Sequence, residues 1–184
     1  MRISWSLLKA WKGRNYRMVE DMIFRVPTFR SEAMQKGIDV HDYIAENNVK
    51  VMDFFTDTTI NEKDKQTKFE AKIGKDTLVG ILDFYDPVQK FLGDYKVSKA
   101  SASSQDKTQL FVYNILLDLA GQKTCKDGYI VQIDPAREIS DVKVLTYAKY
   151  DISNNEQLAK VYDWIKKSVV EIRDYFKKEL GVEI

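Results

Sequence analysis

Thr77-Leu78-Val79-Gly80-Ile81-Leu82-Asp83-Phe84-Tyr85 and, a short turn later, Phe91-Leu92-Gly93-Asp94-Tyr95-Lys96-Val97 are the stretches that decide the fold. The first is β-branched and apolar, Asp86-Pro87 marks a turn, and the second returns as another strand. Ahead of them, residues 67–73 (TKFEAKI) alternate polar with apolar, and Gly74-Lys75-Asp76 supplies turn chemistry. Three strands in succession make a meander.

Outward from it, a Ser-rich bridge leads to a mostly apolar helix over 105–120, a crossover lying on the sheet. Residues 129–134 and 142–150 read as two more strands. Leu158, Val161, Ile165, Val169, Ile172, Phe176 and Leu180 step by three or four and give a helix over 154–180 one sustained core face. Residues 1–60 form a helical flank. In it Ser4 caps a short helix that ends near Gly13, and Pro27 breaks the next segment. Residues 31–55 make one or two helices burying Met34, Ile38, Tyr43, Ile44, Val51 and Phe54, and polar 61–66 connects to the sheet core of 67–150. With 184 residues, the chain is expected to be one domain, mixed α/β with one central sheet.

Composition narrows the class further. At 44% hydrophobic and 12% aromatic residues there is enough apolar surface for a packed core, so a disordered chain is excluded. No apolar run approaches the roughly 20 residues of a spanning helix. The opening MRISWSLLKAWKGR is too polar after Leu8 for a secretory signal, so a cytoplasmic protein without membrane contact is expected. The single cysteine, Cys125, excludes a disulfide framework, a cysteine-ligated zinc site and a four-cysteine iron–sulfur cluster. Net charge is only +1, but residues 1–30 carry seven Lys and Arg against Glu20 and Asp21, a local excess of +5. Trp5, Trp11, Tyr16, Phe24 and Phe29 are interleaved with cations such as Arg14 and Arg17, which suits a phosphate backbone with stacked bases. Solvated charges on an amphipathic helix are the blander account of the same pattern.

A carboxylate and a lysine two apart on a strand share a face and can set an ammonium beside a hard cation. Glu70–Lys72, Asp94–Lys96 and Asp141–Lys143 all have this spacing. Only the middle pair follows a strand with its own aspartate among apolar residues, Asp83, whose charge would cost several kcal/mol unless paired or metal-bound. A hairpin brings the two strands together, so Asp83 and Asp94 converge. Beside each other they repel unless Mg²⁺ or Mn²⁺ lies between them. Gln109 and Tyr113, spaced i, i+4 on the following helix, share one face. Asp141–Lys143, preceded by Asp134 and followed by Gln157 and Tyr162, is a weaker copy of the pattern. The one histidine, His41, sits on a helix ahead of the sheet. A lone histidine is more often structural, but this one could bring a nitrogen to the same ion.

Taken in order, Gly37-x-x-x-His41, Gly80-x-x-Asp83, Asp94-x-Lys96 after ten intervening residues and Gln109-x-x-x-Tyr113 resemble the RecB-type branch of the PD-(D/E)XK nuclease superfamily. Ser4 and Ser6 ahead of an aromatic helix resemble that branch's opening segment, and lambda-type exonucleases are similar in organisation. The resemblance implies a restriction-endonuclease-like central mixed sheet flanked by helices and a metal-dependent DNA nuclease, on balance an exonuclease, acting in recombination, repair or phage DNA processing. It implies Mg²⁺ or Mn²⁺ held by His41, Asp83, Asp94 and the Tyr95 carbonyl. Lys96 would orient or activate the attacking water and offset phosphate charge. Gln109 and Tyr113 would support the site and touch the DNA backbone, with Ser4, Ser6, Ser98, Lys99, Arg14 and Arg17 as further DNA contacts. Four cysteines for an iron–sulfur cluster and an ATPase loop are both missing, so any unwinding would come from a helicase, and an annealing protein or a homo-oligomeric ring fits the lambda-type organisation. A non-catalytic nucleic-acid-binding or protein-interaction module on the same fold is the competing class.

Overall fold

Caps and turns mark most element boundaries. In the computed structural model, which describes residues 1–27, 30–47, 49, 51 and 65–184, the elements run β1 (Arg2–Ser4), α1 (Trp5–Lys12), α2 (Tyr16–Phe24), α3 (Glu32–Glu46), β2 (Lys65–Ile73), β3 (Asp76–Asp86), β4 (Phe91–Val97), α4 (Ser104–Leu119), β5 (Asp127–Ile133), β6 (Val144–Asp151) and α5 (Asn155–Glu179). Ser4, Asn15, Ser31 and Asn154 each accept an amide of the first helical turn, and Ser103 and Asp106 form a reciprocal capping box ahead of α4. Gly74, at φ 59°, makes the tight turn from β2 to β3, and the Asp86 carboxylate takes the Val88 and Gln89 amides to turn β3 toward β4.

The strands form one mixed sheet flanked by helices. β2–β3, β3–β4 and β5–β6 pair antiparallel, whereas β1–β3 and β4–β5 pair parallel. The parallel β4–β5 pair needs a crossover, and α4 provides it. One face packs on α4 and α5, through Leu78, Val112, Leu116, Ile165 and Val169 and, next to them, Leu82, Leu92, Leu110, Leu117 and Ile130. The other face packs Phe84, Phe91, Tyr95 and Tyr129 against Val40 and Ile44 of α3. The Phe84 ring lies directly on Gly93, its cross-strand partner. A Cβ there would collide with that ring and approach the Tyr129 carbonyl to 2.6 Å. Among the described residues no helix is long and apolar enough to cross a membrane.

Two core assignments change. Met34 is 53% exposed, because α3 meets the sheet only through its C-terminal half, at Val40 and Ile44. Leu180 is 39% exposed, because α5 ends one residue earlier and the apolar stripe outruns the sheet. Phe29, Phe54 and the connection at 61–64 lie outside the described residues.

Candidate active site

A strand has two hydrogen-bonding edges, and β3 uses them unequally. Along one edge it carries β2 from Asp76 to Phe84. The other edge is shared, with β1 on Thr77–Val79 and β4 on Phe84–Asp86. Residues 80–83, the Gly-x-x-Asp segment, fall between them in a notch where no strand among the described residues pairs on that side. At this point β3 also changes face. Leu82 packs under α4 while Phe84 packs under α3, although strict alternation would put both on one side. The β2–β3 register skips from Lys65–Phe84 to Thr67–Leu82, and Gln66, out of register between them, is held at φ 49°, a conformation that costs a side-chain-bearing residue about 1 kcal/mol or more. β3 and its partner β2 are thus both irregular beside Asp83.

The site side chains meet around this notch. Asp83 Oδ1 lies 3.0 Å from His41 Nδ1, and its Oδ2 accepts the Tyr95 amide at 2.7 Å in place of a ladder bond. The N–H and C=O of a strand residue leave by the same edge, so the Tyr95 carbonyl is directed to the same opening. Asp94 Oδ1 accepts the Gln109 amide at 2.6 Å, and its Oδ2 pairs with the Lys96 ammonium at 2.6 Å. Lys96 donates to Gln109 Oε1 at 2.9 Å and has Asp106 3.9 Å away. Gln109 also donates to the Tyr113 hydroxyl at 2.7 Å. Gly80 has no side chain to hold α4 away, since a Cβ would meet the Tyr113 ring and Leu116.

Burial and the Asp83 charge push the Asp94 carboxyl up to about 6, against the pull of Lys96 and His41. Burial alone would lower the Lys96 ammonium, but Asp94 holds it above its ordinary value, so it stays charged. His41 is likewise lifted: burial is the largest single influence and pulls it down, but the hydrogen bond to Asp83 and the charges of Asp83 and Asp94 together outweigh it. Tyr113 is raised well above the usual phenol by burial and by Asp94, and keeps its proton.

The structure brings some of the expected site residues together and leaves others apart. Among the described residues no three His, Cys, Asp or Glu side chains converge as a ready-made cage for an ion. His41 and Asp83 meet from the α3 side of the notch, while Asp94 is turned to Lys96 and Gln109 on the α4 side. Gln109 is fully engaged, both amide hydrogens and the oxygen being used on Asp94, Tyr113 and Lys96, so it has no donor left for DNA. Arg14, Arg17 and Lys99 are exposed but outside the cleft described next, and the Ser98 hydroxyl accepts the Ala100 amide in the turn after β4.

That cleft, about 520 Å³, opens on the cluster. Lys96, Gln109 and Tyr113 line one part of it and Ser4, Ser6 and Lys9 another, with Arg2 and Lys68 also facing in. The weaker pairs are accounted for elsewhere. Glu70 holds Arg2 and Lys68 at the surface, Asp141 holds Arg137, and Asp134 accepts the Ala136 amide in its own turn. Arg2 enters the sequence reading only as one charge of the basic 1–30 flank, and Lys68 and Asp106 escape it. Of these only Asp106 carried a signal, the Ser103-x-x-Asp106 capping pattern.

No protein-family model matches the chain, and no curated protein matches it. Solved structures do. A provisionally named exonuclease from Eubacterium rectale superposes with a TM-score of 0.64 at 14% identity, covering 99% of this chain and 83% of that one. The alkaline exonuclease LHK-Exo from Laribacter hongkongensis gives 0.52 at 11% identity, over 98% and 93% of the two chains. LHK-Exo in complex with dAMP gives 0.50 at 11%, over 97% and 93%. The chain has the fold of these exonuclease structures, a central mixed sheet flanked by helices.

Proposed function

We propose that the chain is a Mg²⁺- or Mn²⁺-dependent DNA nuclease of the PD-(D/E)XK superfamily, RecB-type or lambda-exonuclease-like, acting as an exonuclease in recombination, repair or phage DNA processing. One observation carries the reading. Two buried carboxylates, Asp83 and Asp94, flank the notch in the sheet with a single lysine between Asp94 and a cleft lined by serines and cations. The residues fit a hard divalent ion. Asp83 and Asp94 are both buried, and even with Lys96 paired to Asp94 Oδ2 the Asp83 charge works against that of Asp94, so the pair favours further positive charge. His41, Asp83, Asp94 and the Tyr95 carbonyl would hold the ion, a mixed oxygen and nitrogen set suited to Mg²⁺ or Mn²⁺. When bound, such an ion supplies Lewis acidity and an acidified water.

The protein's own groups supply the rest. Lys96, kept protonated by Asp94, places positive charge where negative charge grows on the phosphate in the transition state. Gln109 locks Lys96 and Asp94 in their rotamers. Tyr113, protonated and accepting from Gln109, keeps its own hydrogen to donate into the cleft. Ser4 and Ser6 offer hydroxyls to a phosphate on the opposite wall.

The test is a gel assay with labelled single- and double-stranded DNA, with Mg²⁺ or Mn²⁺ and with EDTA. Metal-dependent products are expected, and Lys96→Ala and Asp94→Asn should each reduce cleavage by about 10²-fold or more while remaining folded. A mobility shift without products under any metal would replace this reading with a binding module on the same fold.

A further inference from the structure

Beside the cleft lies a second concavity, about 930 Å³, between the end of α2 and the outer surface of β2. Arg2, Arg25, Lys68, Lys72 and Lys75 line it, and among the described residues no aspartate or glutamate does. The two concavities share Arg2, Ser4, Lys68 and Val79, so one leads into the other. We propose that this trough carries the nucleic-acid strand away from the active cleft, binding its phosphates several nucleotides beyond the bond to be cut. The occupant rests on the nuclease reading, whereas the trough itself rests on charge and shape.

The spacing suits a polyanion. Lys68 and Lys72 are four residues apart on one face of β2, roughly 13 Å, so the two ammoniums can meet different phosphates of one strand. The Gly74 turn sets Lys75 just beyond them, and Arg25 faces them from the end of α2. Glu70, exposed beside the trough, holds Arg2 and Lys68 at 2.6 and 2.7 Å. Lys72 donates to the neutral Thr77 hydroxyl and is paired with no carboxylate among the described residues, so its charge is not cancelled there. Met22 and Ile23 add an apolar wall against which sugars or bases can lie. A flat anionic surface would not enter a concavity, whereas a single strand leaving the cleft would.

The experiment measures fluorescence anisotropy of the full chain in EDTA, with a labelled 16-mer and a labelled tetramer, over a salt series. Lys72→Ala/Lys75→Ala is compared with Lys160→Ala/Lys167→Ala, which removes equal charge from the exposed face of α5. The trough variant should bind the 16-mer about tenfold more weakly, with the log K against log salt slope reduced by about 1 to 2. The tetramer, confined to the cleft, should bind unchanged. Equal losses in both double variants, equal losses for both oligonucleotides, or no binding of the 16-mer by the native chain would each overturn the trough. Because EDTA removes cleavage from the readout, the two proposals fail separately. A chain that cuts nothing yet shows the length-dependent loss keeps the trough and loses the nuclease.

Discussion

Asp94 is the residue where the strain of this site can be measured without any cleavage. Its carboxyl, pushed up to about 6 by burial and by Asp83, lies above the ordinary 3.8. A folded-state value above the unfolded one means the folded chain holds a proton that the unfolded chain releases. The stabilisation is therefore full below about pH 4 and lost as pH rises through 6. In EDTA at pH 8, Asp94→Asn should be more stable than the native chain, by about 2 kcal/mol, and the gap should close toward pH 4. A variant less stable at pH 8 would mean that Lys96 already compensates the buried charge in full. His41 is tested differently. His41→Ala should weaken Mn²⁺ binding in calorimetry far more than it weakens DNA binding in EDTA, and unchanged metal affinity would reduce His41 to a partner that orients Asp83. In sequence, both aspartates were legible because an ionised side chain within an apolar strand needs an explanation. Arg2 and Lys68 were not, because a surface cation looks the same whether or not it faces a cleft.

At the level of elements, the strongly periodic segments were readable and the short ones were not. β2, β3, β4 and α4 fall within two residues of the expected 67–73, 77–85, 91–97 and 105–120, since alternation and helical spacing are set locally. β1 has three residues, too few for any period, and its pairing with β3 is a long-range event. The face change at Asp83 was equally hidden, because Leu82 and Phe84 read as one continuous face in sequence and separate only where two helices compete for the strand. Gly93 is the element's weak point. Gly93→Ala would drive a methyl into the Phe84 ring and the Tyr129 carbonyl, neither of which can move without disturbing β5. A loss of about 3 kcal/mol in urea unfolding at constant m is expected. A loss under about 1 kcal/mol would show that Phe84 repacks freely, and that the ring does not fix the strand carrying Asp94.

Across the whole molecule, the cleft is assembled from segments that meet only when the sheet is complete: Arg2–Ser4 with the start of α1, the notch at 80–83, the end of β4, and α4. One wall of the notch thus depends on a three-residue parallel strand, held by its ladder on Thr77–Val79, by Arg2 on Glu70 and, in the core, by one side chain. Ile3 is fully buried among Leu78, Val112, Leu116 and Ile165. Truncating it removes apolar contact at the junction of β1, β3, α4 and α5, which should cost about 2 to 4 kcal/mol. The loss should fall unevenly. Opening of β1 exposes little beyond itself, so in Ile3→Ala the 1–8 segment should exchange its amides at least tenfold faster while β4 and β5 stay protected. Cleavage should then fall at temperatures where the sheet is still folded, because Ser4, Ser6 and Lys9 leave the cleft while the sheet still holds Asp83 and Asp94. If β1 exchanges only with global unfolding, the short strand is part of the cooperative core, and the site is built as a single unit rather than closed by a separately opening wall.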